Sequence, residues 1–155
     1  MVDPMYRFHC SVHSQPREVS EGTPVQLLEG SVTPLAVRQD KVTAPMSVSF
    51  EQAYESLAQL PRMFIELDGS FVWVSSAAET KWQVDGNLYD RAGVLMFVDL
   101  KGYCPSSRFD ELVRVFRGGA PLMFQLVRHA LYVSEVEFRR VAQRAYDLSG
   151  PVASY

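Results

Sequence analysis

Residues 62–75 read Arg62-Met-Phe-Ile-Glu-Leu-Asp-Gly-Ser-Phe-Val-Trp-Val-Ser75. Two runs of β-forming residues flank Asp68-Gly69, and both turn residues tolerate the positive φ that a two-residue hairpin loop requires. Alternation along the runs predicts Met63, Ile65, Leu67, Val72 and Val74 on one face. Phe64, Glu66, Phe71 and Trp73 then share the other.

A second hairpin follows directly. Lys81 to Tyr89 and Val94 to Lys101 are joined around Asp90-Arg91-Ala92-Gly93. A three-residue loop with Gly93 in the left-handed conformation pairs Asp90 with Val94. In that register Trp82, Val84, Gly86 and Leu88 share a face with Leu100, Val98 and Met96. Gln83, Asp85, Asn87 and Tyr89 share the other with Lys101, Asp99, Phe97 and Leu95. A slip of one residue would mix apolar and polar faces, which favours this register.

Helices bracket the hairpins. Ser49 followed three residues on by Gln52 is a capping box. Phe50, Ala53, Tyr54, Leu57 and Leu60 then recur at helical spacing, and Pro61 stops a helix over 50–60. Downstream, Ser106 or Ser107 caps a helix striped by Phe109, Leu112, Val113 and Phe116, with Gly118-Gly119 at its end. Pro121 to Val127 reads as a buried strand. Ser134 and Glu137 form another capping box for a helix striped by Phe138, Val141, Ala142, Ala145 and Tyr146, which ends at Gly150-Pro151. The order from residue 50 is α-β-β-β-β-α-β-α. That order predicts an α+β fold: an antiparallel sheet of four to six strands, built from two consecutive hairpins and packed with about three helices.

Upstream, residues 5–13 alternate, with Tyr6, Phe8, Cys10 and Val12 opposite Arg7, His9, Ser11 and His13, as in a half-buried strand. Residues 14–47 hold Pro16, Pro24, Pro34 and Pro45 and read as irregular chain, with short strands at Val25–Leu28 and Leu35–Val37 around a turn at Glu29-Gly30. So long a proline-punctuated stretch is either an arm wrapping the core or a mobile leader. The expected division is therefore an N-terminal strand and Pro-rich arm over 1–47 and a single α+β domain over 48–155.

Composition narrows the class. The 155 residues are 47% hydrophobic and 21% charged, a globular balance that excludes wholesale disorder, a rod or a disulfide-built mini-protein. The net charge of −3 is uneven: residues 1–100 carry seven Lys/Arg against thirteen Asp/Glu, and residues 101–155 carry eight against five. The two cysteines, Cys10 and Cys104, form no CxxC pair, and Met1-Val2-Asp3-Pro4 opens no apolar leader, which points to a reduced, cytoplasmic protein. The apolar run Val94–Val98 is far too short for a membrane span of ~20 residues. The chain contains no GxxxxGK[ST], GxGxxG, HExxH or GxSxG.

The second sheet face is the most informative feature. It joins Phe64, Phe71, Trp73, Tyr89, Leu95 and Phe97 to Glu66, Gln83, Asp85, Asn87, Asp99 and Lys101. A wetted face does not need so many aromatics, and a core does not hold unpaired charges. Such a mixture suits an interface or a ligand surface, or else a face whose aromatic part lies under the arm. Asp85 and Asp99 are expected directly opposite, with Cβ atoms about 5 Å apart, an arrangement usable for acid/base chemistry or a divalent cation. Lys101 and Arg91 could neutralise them. Cys104 precedes a helix N-terminus, which lowers a thiol's pKa and makes Cys104 a second catalytic candidate. His9 and His13 share a strand face at a separation of about 13 Å, too far for one metal, and Cys10 points the other way.

The leading expectation is a non-enzymatic module that binds a protein partner, a second copy or a small ligand through Phe64, Phe71, Trp73, Tyr89, Phe97, Asp85, Asp99 and Lys101. No metal or cofactor is expected. The alternative is a small enzyme or metal-binding domain using Asp85 and Asp99. A second alternative is nucleic-acid binding by Arg114, Arg117, Arg128, Arg139, Arg140 and Arg144, although pairing with the acidic part of the fold explains these arginines equally well.

Overall fold

A computed structural model of the chain describes residues 3–42 and 44–149. Met1-Val2 and the expected Gly150-Pro151 helix stop lie outside the described residues. The chain begins with β1 (Met5–Ser14) and four short strands, β2 (Ser20–Glu21), β3 (Val25–Leu27), β4 (Gly30–Val32) and β5 (Leu35–Ala36). Helices α1 (Gln39–Val42) and α2 (Phe50–Ala58) follow, then strands β6 (Met63–Ile65), β7 (Ser70–Val74), β8 (Gln83–Arg91) and β9 (Val94–Pro105). The chain closes with α3 (Ser106–Arg117), β10 (Leu122–Leu126), β11 (Leu131–Ser134) and α4 (Glu135–Ser149).

The fold is α+β, with seven strands rather than four to six in one antiparallel sheet, ordered β11-β10-β1-β9-β8-β7-β6. The unforeseen strand is β11. Its hairpin turn places Ala130 at φ 54°, where glycine or asparagine would have announced a turn. The N-terminal strand is not peripheral: β1 pairs with β9 along one edge and with β10 along the other.

Helices α3 and α4 pack on β1, β9 and β10, while α2 packs on β6 and β8. The core between these layers is aromatic. Phe109 of α3 lies 5.3 Å from Phe8 of β1 and 5.3 Å from Phe138 of α4, and Phe138 stacks on Phe124 of β10 at 4.4 Å. Toward the other end of the sheet, Trp73 meets Trp82 edge-on at 4.9 Å. The Trp82 indole donates to Glu79, which also accepts from Arg62 and lies 3.4 Å from Arg108 of α3. Led by that indole bond, hydrogen bonds from Ser76 and the Arg108 charge hold the Glu79 carboxyl at about 2 against burial.

Local signals set most boundaries. Ser49 and Gln52 cap α2 reciprocally. The cap of α3 differs from expectation, since neither Ser106 nor Ser107 is the N-cap. Instead the Asp3 carboxylate, from the far end of the chain, accepts the Ser107 backbone N–H at 3.1 Å and the hydroxyls of both serines. The Pro-rich stretch is an ordered strap of two small two-stranded ladders, β2 with β5 and β3 with β4. It buries Val32 in the core and hands Ser31 O to Arg140 of α4. It then crosses to the β8–β9 turn, where the Met46 amide donates to Leu95 O at 2.9 Å.

Both hairpins depart from the expected register. In the first, Glu66 N–H bonds Ser70 O and Phe64 pairs with Val72, so the loop holds three residues, Leu67-Asp68-Gly69. That one-residue difference moves Phe71 and Trp73 to the helix side beside Met63 and Ile65, and sends Val72 outward with Phe64. Burying two large aromatics instead of two valines decides the slip. In the second hairpin Arg91 pairs with Val94 across Ala92-Gly93, whose φ values of 53° and 85° fit a type I′ turn. A bulge between Tyr89 and Asp90 then resets the register to Tyr89↔Phe97 and Asp85↔Lys101. The bulge also turns Leu95 into the core.

Phe71 pairs directly with Gly86, and its ring occupies the space a side chain there would need: a Cβ on Gly86 would lie 2.1 Å from the ring. Gly86→Ala is expected to destabilise the fold by about 1–3 kcal/mol through overpacking. Adding Phe71→Leu should recover part of that loss, as read from the urea midpoint at constant m.

Candidate functional site

One sheet face is covered by α2, α3 and α4. The other carries Arg7, His9, Ser11 and His13 of β1, in rows with Met123 and Gln125 of β10, Phe97, Asp99, Lys101 and Tyr103 of β9, and Asp85, Asn87 and Tyr89 of β8. Aromatic contacts run across it. Tyr132 meets His13 edge-on at 5.5 Å, His13 stacks on Phe97 at 5.6 Å, and Phe97 stacks on Tyr89 at 4.5 Å. The outer part is wet: Phe64 is 65% exposed, Tyr89 38% and Val72 36%.

Of the residues singled out from the sequence, Phe64, Tyr89, Phe97, Asp85, Asp99 and Lys101 share this face. Phe71, Trp73 and Leu95 do not; all three are buried on the helix side. The Trp73 indole is committed to Pro61 O at 2.8 Å. Asp85 and Asp99 are not directly opposite. The two-residue shift in register sets Asp85 against Lys101, and Asp99 against Asn87 on one side and Ser11 on the other. Asp85 also accepts from Gln83 at 2.9 Å. The arrangement is thus a carboxylate facing an ammonium rather than two facing carboxylates.

Cys104 lies in the core, and burial pushes its thiol well above the ordinary range. Desolvation overrides the effect expected from the neighbouring helix N-terminus. Cys10 is likewise buried and raised, with the Asp99 charge adding to burial. Several arginines are tied to acids within the fold. Arg117 pairs with Glu135 at 2.7 Å, Arg139 with Asp110 at 2.8 Å and Arg140 with Glu137 at 2.5 Å. Among the described residues, no group of three His, Cys, Asp or Glu side chains converges as a metal site would need. No helix among them is long and apolar enough to cross a membrane.

A polar network at the centre of the face was not foreseen. His13 is 6% exposed, and its Nε2 lies 2.8 Å from Ser11 Oγ. Ser11 in turn donates to Gln125 Oε1 at 3.2 Å. With its one proton given to Gln125, Ser11 accepts from His13, so Nε2 carries the imidazole proton and Nδ1 is buried without a hydrogen-bond partner. The only sequence hint was polar residues at the inner positions of an alternating strand. Gln125 enters from a strand more than a hundred residues away.

Compared with known proteins, the chain matches no family model, no curated protein and no solved structure.

Burial lowers the His13 pKa from 6.5 to about 4. Because the unfolded chain takes up this proton first, the contribution of neutral His13 is full above pH 6.5 and is lost as pH falls toward 4. Folding stability should drop across that window by up to about 3 kcal/mol at ~1.4 kcal/mol per pKa unit. His13→Phe should flatten the drop, measured by urea unfolding at a series of pH values.

Proposed function

We propose that the protein is a non-enzymatic binding module that associates through its helix-free sheet face, with a second copy of itself as the occupant. The observation that carries this reading is the exposed apolar set Phe64, Val72 and Tyr89 beside a cross-strand charge pair, Asp85 and Lys101, on the same face. Large exposed apolar groups rimmed by charge are the usual composition of an association surface.

The charge pattern supports self-pairing. Asp85 and Lys101 face each other across β8 and β9. A two-fold axis running along the strands between β8 and β9 sets each Lys101 over the Asp85 of the second copy, as an isologous interface requires. Tyr89 and Phe97, stacked as a rigid pair, supply aromatic area at low entropic cost.

Sedimentation equilibrium of the whole chain tests the proposal. The wild type should dimerise in the micromolar range. Lys101→Glu and Asp85→Lys should each weaken the dimer by roughly tenfold, the equivalent of ~1.4 kcal/mol. The double exchange should restore it. A wild-type chain that stays monomeric, or single variants that dimerise as well as the wild type, overturns the reading.

A further inference from the structure

Strand β10 is shorter than the strand it pairs with. It reaches only Cys10 of β1, and beyond Leu126 the chain turns away after the Val127 amide bonds His9 O at 3.2 Å. Residues 5–8 of β1 therefore have β9 on one edge and no strand on the other, and a notch opens beside Arg7, Phe8 and His9. The second half of α4 walls the notch with Val141, Ala142, Ala145 and Leu148, and Phe8, Leu126 and Phe138 form its floor. The β3–β4 turn, Leu28-Glu29, closes it from the strap. The notch has a volume of about 520 Å³, within the ~300–1,000 Å³ of small-molecule sites.

The lining divides by chemistry. The interior is apolar, and three large apolar residues stand exposed around the cavity: Leu28 at 87%, Leu148 at 54% and Val127 at 38%. The polar lining is basic. Arg7, Lys101 and Arg128 bring three permanent positive charges, and His9 and His129 add two imidazoles. The Arg7 guanidinium is held over the Tyr103 and Tyr146 rings at 5.5 and 5.8 Å. Glu29 is the single carboxylate among the described lining residues. It sits 4.0 Å from His129 Nε2, with its side chain only 13% exposed and Oε2 lacking a hydrogen bond.

We infer that this notch binds an anionic amphiphile, with its apolar body against Phe138 and Ala145 and its charged head among the basic residues around Arg128. A cationic rim over an apolar floor is complementary to that chemistry: the head keeps its charge compensated while the tail leaves water. Glu29 occupies part of the basic rim as a built-in anion, so a ligand head competes with it. The notch shares Lys101 with the open sheet face, but Arg128, Glu29 and Ala145 lie off that face, so variants at these three test it apart from the dimer reading.

Calorimetric titration with decanoate, decyl phosphate, decanol and inorganic phosphate tests the inference. Decanoate or decyl phosphate should bind at least roughly tenfold more tightly than decanol or phosphate alone, and the better of the two identifies the head group. Arg128→Glu, at an exposed position, should weaken binding by roughly tenfold. Glu29→Gln should strengthen it, which a purely apolar site would not show. Ala145→Phe should abolish binding by filling the floor. Decanol binding as well as decanoate, phosphate binding as well as decyl phosphate, or Arg128→Glu and Ala145→Phe both leaving affinity unchanged would each overturn the inference. Sedimentation of the same variants separates it from the dimer proposal, since none of them should alter association.

Discussion

Phe8, Phe109, Phe124 and Phe138 come from β1, α3, β10 and α4, and their rings touch one another at 4.4 to 6.1 Å. Three of these elements, α3, β10 and α4, lie close together in the chain, and β1 reaches the cluster from its distant N-terminal part. Offset and edge-on ring contacts add to the area they bury, so the cluster fixes orientation as well as supplying hydrophobic stabilisation. Everything else is hung from it. The helices can cover only one side of the sheet because their aromatic stripes converge there. The other side is left to cross-strand pairs, and there polar groups bond laterally, as His13 Nε2, Ser11 and Gln125 do.

The two surfaces that carry function in our reading lie on different parts of the sheet: the association face spans β6 to β9, and the notch runs along β1. Where β1 is paired on both edges, it presents a continuous open face. Where β10 stops short, its edge is replaced by a helix wall, and a gap opens between sheet and α4. The strap contributes only a turn to that gap, yet the turn places an acid against a basic rim. Local strand length, rather than any sequence motif, creates the notch.

What was legible in the sequence was local. The Ser49–Gln52 cap, the helical stripes around Phe109 and Phe138, and the existence of both hairpins follow from contacts within a few residues. The register of the first hairpin does not. Asp68-Gly69 fits a two- or a three-residue loop, and the choice is made by the space for Phe71 and Trp73 beneath distant elements. The bulge at Tyr89, the glycine-free turn at Ala130 and the capping of α3 by Asp3 have the same origin. The open face was thus anticipated in Phe64, Tyr89, Phe97, Asp85, Asp99 and Lys101, and misjudged in Phe71, Trp73 and Leu95, whose placement is decided by tertiary packing. The basic notch had no local signature, because Arg7, Arg128 and Glu29 meet only when the sheet is complete.

The central position of β1 bears on how the protein is made. Met5 pairs with Pro105 and Ser14 with Leu122. A ribosome adding about 5–20 residues per second leaves the first strand waiting on the order of ten seconds for its neighbours. Over that interval both edges of β1 stay open, a template for any other extended chain. Final closure joins segments far apart in sequence and carries a matching loop-closure cost. The earliest strand of the sheet is thus paired late, and during synthesis the capture of β1 by β9, not a buried core, is what separates a chain bound for its native fold from one bound for an aggregate.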